Sequence, residues 1–188
     1  LGTTSTVFRL QLDLSDIDRG VYETLDLRMA QHASEEPDRL IVRALARAVA
    51  HCDGLEFGRG LSHPDDAALW AHDLTGQVAT WIEVGLPSAE RLHRISKRCP
   101  NVIVFTAKPE DALLKEWRRR KIHKAEAIQV FRLPPDLVNK LAQDLKRKVS
   151  WFLTIQDHTL TVTTEEHILE GPIERVTLGG FCSTAHGS

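Results

Sequence analysis

Gly58-Arg-Gly-Leu-Ser-His-Pro-Asp-Asp-Ala-Ala-Leu-Trp70, followed after a polar segment by Thr80-Trp-Ile-Glu-Val-Gly-Leu-Pro87, is the part of the chain on which the reading of the fold turns. Trp81, Ile82, Val84 and Leu86 form an apolar run typical of a buried strand, and Glu83 stands inside it. A carboxylate buried without a partner is strongly disfavoured, so Glu83 calls for a cation, a hydrogen-bonded partner or a raised pKa. Asp65 and Asp66 follow Pro64 in a short turn, and a divalent metal shared by Asp65, Asp66 and Glu83 would serve all three acids. Mg2+ or Mn2+, which take oxygen ligands, would then activate water for phosphodiester hydrolysis. The simpler alternatives are that Glu83 faces solvent on a half-exposed strand, or pairs with an arginine such as Arg59.

On the N-terminal side of this stretch, Phe8, Leu10, Leu12 and Leu14 alternate with Arg9, Gln11 and Asp13, which predicts a half-buried strand. Val21 to Met29 alternates more loosely and is expected to complete a hairpin. From Ser34 the period changes. Ile41, Ala44, Leu45, Ala48, Val49 and Cys52 recur at three and four residues, predicting a helix of about five turns with Ser34 as N-cap and Pro37 in the first turn. His32 and Glu35 stand three apart, a spacing that suits either a shared cation or plain capping.

On the C-terminal side, Ser88 is expected to cap a short helix reaching about Lys97. Val102 to Thr106 then reads as a strand buried on both faces, parallel to Val78 to Val84. A helix is predicted from Pro109, a strand at Ala127 to Arg132, a helix from Pro135 to about Asp144, and a hairpin whose turn is Asp157-His158. Residues from Gly179 carry little periodicity and are expected to be poorly ordered. One domain over residues 1–178 with a tail at 179–188 is the implied organisation.

With 188 residues, 42% hydrophobic and 27% charged, the composition is that of an ordinary soluble protein, and no apolar run is long enough to span a membrane. Leu1 to Thr6 lacks the organisation of a signal peptide, and Cys52, Cys99 and Cys182 have no paired spacing, so reduced thiols and a cytoplasmic protein are expected. A net charge of −2 excludes coating of nucleic acid by bulk electrostatics and leaves room for a local patch. Lys115, Arg118, Arg119, Arg120, Lys121 and Lys124, with Trp117 among them, suit a phosphate backbone or a splayed base, and equally the solvated face of a helix.

His32-Ala-Ser-Glu35, Gly60-Leu-Ser-His-Pro-Asp-Asp66, Leu69-Trp70, Trp81-Ile-Glu-Val-Gly-Leu-Pro87, Val104-Phe-Thr106 and Thr154-Ile-Gln-Asp157 together resemble the YaeQ family. The resemblance runs from Ser5 to about Leu178. That family is similar in fold to the PD-(D/E)XK nucleases, so the resemblance implies an α/β (α+β) fold with a mixed central β-sheet flanked by helices. Carried over, it implies that Pro64 and Asp65 are the leading pair of the motif with Asp66 beside them, Glu83 its second carboxylate, and Glu35 the acid from the first helix. The motif lysine is absent: Gly85 stands in its place, and Arg94 or Lys97 from the next helix are the implied substitutes. Arginine is the poorer of the two because it cannot exchange a proton with water. Ser34, Arg43, Gln156 and Asp157 are further family-like positions. Metal-dependent cleavage of DNA or RNA, a non-hydrolytic nucleic-acid-binding or regulatory module that uses Arg118 to Lys121, and a protein-interaction adaptor all remain open at this level.

Overall fold

In β1 (Thr6–Asp16), Leu10, Leu12 and Leu14 alternate with exposed or half-buried polar residues, and the strand turns at Gly20 into β2 (Val21–Gln31), its antiparallel partner. The computed structural model describes residues 5–178. The expectation for the tail from Gly179, like Cys182, lies outside these residues.

Helix α1 (Pro37–Val49) buries Leu40 to Ala46 and Ala48, so it is enclosed on nearly every side. Its start differs from the prediction. Pro37 forces the residue before it out of the helical region, and Glu36, at ψ 143°, is the N-cap; Ser34 lies outside the helix. After β3 (Glu56–Phe57) the chain runs through β4 (Leu69–His72) and β5 (Val78–Val84) into α2 (Ala89–Ser96), capped by Ser88 Oγ accepting from the Arg91 amide. There follow β6 (Asn101–Thr106), α3 (Glu110–Trp117), β7 (Gln129–Arg132) and α4 (Pro135–Gln143). Strands β8 (Lys148–Gln156), β9 (Thr159–Thr163), β10 (Ile168–Pro172) and β11 (Glu174–Thr177) end the described chain.

The fold is mixed α/β, and where one central sheet was expected there are two mixed sheets. The first has the order β10-β9-β8-β1-β2, with β1 and β8 parallel; the second has the order β11-β7-β6-β5-β4-β3, with β5, β6 and β7 parallel. Leu40, Ile41 and Leu45 of α1 and Leu137 and Val138 of α4 pack with Leu10, Leu12 and Leu153 of the first sheet and Ile82, Val84 and Phe105 of the second. Each such side chain, fully buried, contributes about 1.5–3 kcal/mol. The opposite face of the second sheet is covered by α2 and α3 through Leu92, Ile95, Leu113 and Trp117, packed on Val102, Val104 and Val130.

This alternation decides where Glu83 points. Ile82 and Val84 belong to the core that holds α1, while Trp81 packs on the α2 side and Glu83 shares its face. Gly58 allows the loop before β4 to close, since a Cβ there would lie 2.0 Å from the Ala67 carbonyl oxygen. Among the described residues no helix is long and apolar enough to cross a membrane.

Candidate functional site

The antiparallel pairing of β4 with β5 carries the Pro64–Asp66 turn to the end of β5 where Glu83 lies, and the reversal at Gly85 to Pro87 lays the first turn of α2 beside both. Arg91, in that first turn, is the side chain that joins them. Its Nη2 donates to Glu83 Oε1 at 2.7 Å and to the Asp66 main-chain carbonyl at 2.7 Å, while Nη1 donates to the Pro64 carbonyl. Trp81 Nε1 donates to the same Glu83 oxygen at 2.6 Å, and the Arg91 guanidinium lies 5.9 Å from the Trp81 ring centroid. Glu83 is 6% exposed, so this pairing is what makes its burial tolerable.

Each of the other buried acids has an arginine too. Asp66 is held by Arg59, whose Nε donates to Oδ2 at 2.7 Å and whose Nη2 donates to Oδ1 at 2.9 Å, with the Arg59 amide adding a third bond. The Arg59 side chain holds the Asp66 carboxyl down at about 2. Glu35 accepts from Arg39 at 2.6 Å and Arg43 at 3.0 Å, and Arg43 also donates to the Ala30 carbonyl. Burial pushes the Arg43 guanidinium below its ordinary value and Glu35 opposes the shift.

The acids therefore do not gather at one point. Glu35 is bonded along α1, on the face of the second sheet opposite to that of Glu83. Asp65 projects outward, its side chain 89% exposed, with Arg94 3.6 Å away. Among the described residues, the side chains whose ligand atoms come within 4.8 Å of one another are Asp144, Glu166 and His167, remote in sequence from Asp65, Asp66 and Glu83 and already bonded to Lys140 and Lys146.

Arg94 and Lys97, nominated to replace the motif lysine, lie further along α2 than Arg91; Arg94 lies 3.6 Å from Asp65, and Lys97 is the exposed C-cap. At Gly85 itself φ is +93°, beyond the end of β5, so a side chain there would be strained. His32 Nδ1 accepts from the Ser34 amide and bonds the Ser34 hydroxyl, closing the loop before α1. Gln156 and Asp157 lie at the β8–β9 turn, where Asp157 has φ +50° and the Asp157 and His158 amides donate to Asp18.

The basic cluster follows α3. Trp117 is buried, its indole donating to the Pro87 carbonyl at 2.9 Å, and so offers no stacking surface. Arg118 is the helix C-cap, Arg119 lies 3.3 Å from Glu116 and Arg120 3.4 Å from Glu90, and Lys121 is exposed. His93 of α2 stands where this segment meets Lys97: burial first, then the charges of Lys97 and Arg120, hold its imidazole below the ordinary value. Sequence reasoning missed Arg91, although its place three residues after the Ser88 cap was legible.

A family model described as YaeQ protein matches residues 1–172. An uncharacterised YaeQ protein of Escherichia coli (strain K12) is 26% identical over 168 residues, covering 88% of this chain and 92% of that protein. The crystal structure of YaeQ protein from Pseudomonas syringae superposes with a TM-score of 0.84 at 33% identity, over 92% of this chain and 96% of that one. The YaeQ protein from Xanthomonas axonopodis pv. citri gives 0.80 at 30% identity, over 93% and 98%.

Proposed function

The chain belongs to the YaeQ family, and we propose that it is a nucleic-acid-binding module on a scaffold similar to that of the PD-(D/E)XK nucleases, holding a phosphate backbone without cutting it. One observation carries the reading: the positive charge between Glu83 and the Pro64–Asp66 turn is Arg91, a part of the chain itself. Hydrolysis would ask for a metal and a positioned proton donor at that spot. Arginine can screen charge there but does not give up its proton near neutral pH.

The side chains as arranged do not fit Mg2+ or Mn2+. Of the three acids, Glu83 alone faces the spot, Asp66 is committed to Arg59, and Asp65 points to solvent. Charge supports the binding side of the proposal. Between Ser88 and Lys124 there are eleven Lys and Arg against four Asp and Glu, in a chain of net charge −2. The end of α2 and the basic segment after α3 meet at His93, where the charges of Lys97 and Arg120 act together and Lys121 supplies a main-chain contact. The Arg120–Glu90 pair is exposed on both sides and weak in water, so Arg120 is readily transferred to phosphate, and Arg119 is exposed at its end of the pair with half-buried Glu116.

A metal-dependent phosphodiester hydrolase is the second reading, favoured by one feature: three oxygens, from Glu83, Pro64 and Asp66, converge on the Arg91 guanidinium. It requires Arg91 to leave.

The test is fluorescence anisotropy with labelled single- and double-stranded DNA and RNA across a salt series. Binding is expected to weaken steeply as salt rises, to fall when Arg119, Arg120 and Lys121 are changed together to Gln, and to survive Glu83→Ala. Absence of affinity for every probe at low salt would overturn the proposal and favour a protein-interaction adaptor.

A further inference from the structure

Parallel strands β5, β6 and β7 each begin, on the face that looks toward the first sheet, with a polar residue. Thr80 and Asn101 are register partners, and Gln129 pairs with Ile103. The Gln129 amide donates to Asn101 Oδ1 at 3.2 Å and the Asn101 amide to Thr80 Oγ1 at 3.1 Å, a ladder across three strands. The next positions on the same face are Ile82, Ile103, Phe105 and Phe131. A row of two amides and a hydroxyl on a core-facing surface departs from the local pattern, and such departures tend to mark function.

The ladder borders a cavity of 660 Å3 between the two sheets, within the range of small-molecule sites. Phe105 and Phe131, stacked with centroids 5.3 Å apart and planes inclined by 24°, give it a flat aromatic wall, and Val49, Ile155 and Ile173 close the other sides. The charged groups at the mouth are unequally committed. Asp16 is neutralised by Arg19 at 2.6 Å. Asp18 accepts from the Asp157 and His158 amides, which hold its carboxyl below the ordinary value, and has the His158 ring 3.7 Å away. Arg175, opposite Phe131 in the ladder of β11 and β7, has no ion-pair partner among the described residues.

We propose that this cavity is a binding site for a small planar aromatic anion, of the class of aromatic carboxylates. The ring lies against Phe131 and Ile103, the carboxylate meets Arg175, and the Gln129 carbonyl and Thr80 hydroxyl are the partners for polar groups on the ring. The site lies on the other face of the second sheet from Glu83 and Arg91 and does not depend on nucleic-acid binding.

The test is calorimetric titration of the full chain with 2-naphthoate and with neutral 2-naphthamide. Saturable one-to-one binding of both is expected, with Arg175→Gln weakening naphthoate by about tenfold and leaving naphthamide within about twofold, while Ile103→Trp fills the cavity and abolishes both. Arg175→Gln alters an exposed side chain and so keeps the test independent of core stability. The inference is overturned if neither compound binds saturably, if Arg175→Gln weakens both equally, or if a folded Ile103→Trp protein binds as the wild type does.

Discussion

The Arg91 guanidinium lies 2.7 Å from the Glu83 carboxylate, and the same nitrogen donates to the Asp66 carbonyl, so one side chain of α2 ties the end of β5 to the turn before β4. Truncating it leaves Glu83 charged and unpaired at 6% exposure. Arg91→Met is expected to destabilise the protein by about 3 kcal/mol in urea unfolding, and Glu83→Gln added to it to restore part of that loss, because the uncompensated charge is then gone. With Glu83→Gln alone completing the cycle, single losses that add up to the loss of the double variant would show that the pair is not coupled.

Asp66 gives a pH dependence of known sign. Arg59 lowers its pKa from 3.8 to about 2 in the folded state. The stabilisation is therefore complete above the ordinary carboxylate range, declines as pH falls below it, and is lost as pH falls through about 2. Arg59→Met should reduce Tm at pH 7 modestly, and the deficit should shrink as pH falls below 3.8 and disappear only below about 2. A deficit independent of pH would mean that Arg59 stabilises by packing alone.

His93 reports on the basic surface. Lys97 and Arg120 contribute to its depressed pKa, and phosphates that neutralise them should raise it. The His93 pKa followed by NMR is expected to climb on saturation with an oligonucleotide that the protein binds, and the Arg119, Arg120 and Lys121 triple Gln variant to show no further rise. A pKa unmoved by saturating oligonucleotide would put the nucleic acid elsewhere.

Placing a lysine at Gly85, where the nuclease motif would have one, is expected to confer nothing. Gly85→Lys must adopt φ near +93°, a region that side chains disfavour, so stability should fall by about 1 kcal/mol or more with no phosphodiesterase activity gained. Unfolding curves and a cleavage assay on the same preparation check both halves.

Much of the local structure was legible because it is written in short-range pattern. The alternation from Phe8 to Leu14, the Ser88 cap and the apolar run around Glu83 each specify one element. Ser34 misled because a good capping residue was preferred to the constraint Pro37 places on Glu36, which was equally visible in the sequence. The two-sheet arrangement was not legible: β1 pairs in parallel with β8, Arg9 with Lys148, across most of the chain, and no local period encodes that register. At the site, the need of Glu83 for a partner could be read from its apolar neighbours, and an arginine was among the partners considered. Which arginine it is depends on the reversal at Gly85, whose φ of +93° turns the first helical residues back toward the strand.

Whether the cation at Glu83 is Arg91 itself is decided by calorimetric titration of the protein with Mn2+, with Glu83→Ala and Arg91→Met beside the wild type. No saturable heat is expected from the wild type, where Arg91 already pairs with Glu83. Saturable Mn2+ binding by the wild type that Glu83→Ala removes would contradict it and return the site to metal-dependent hydrolysis.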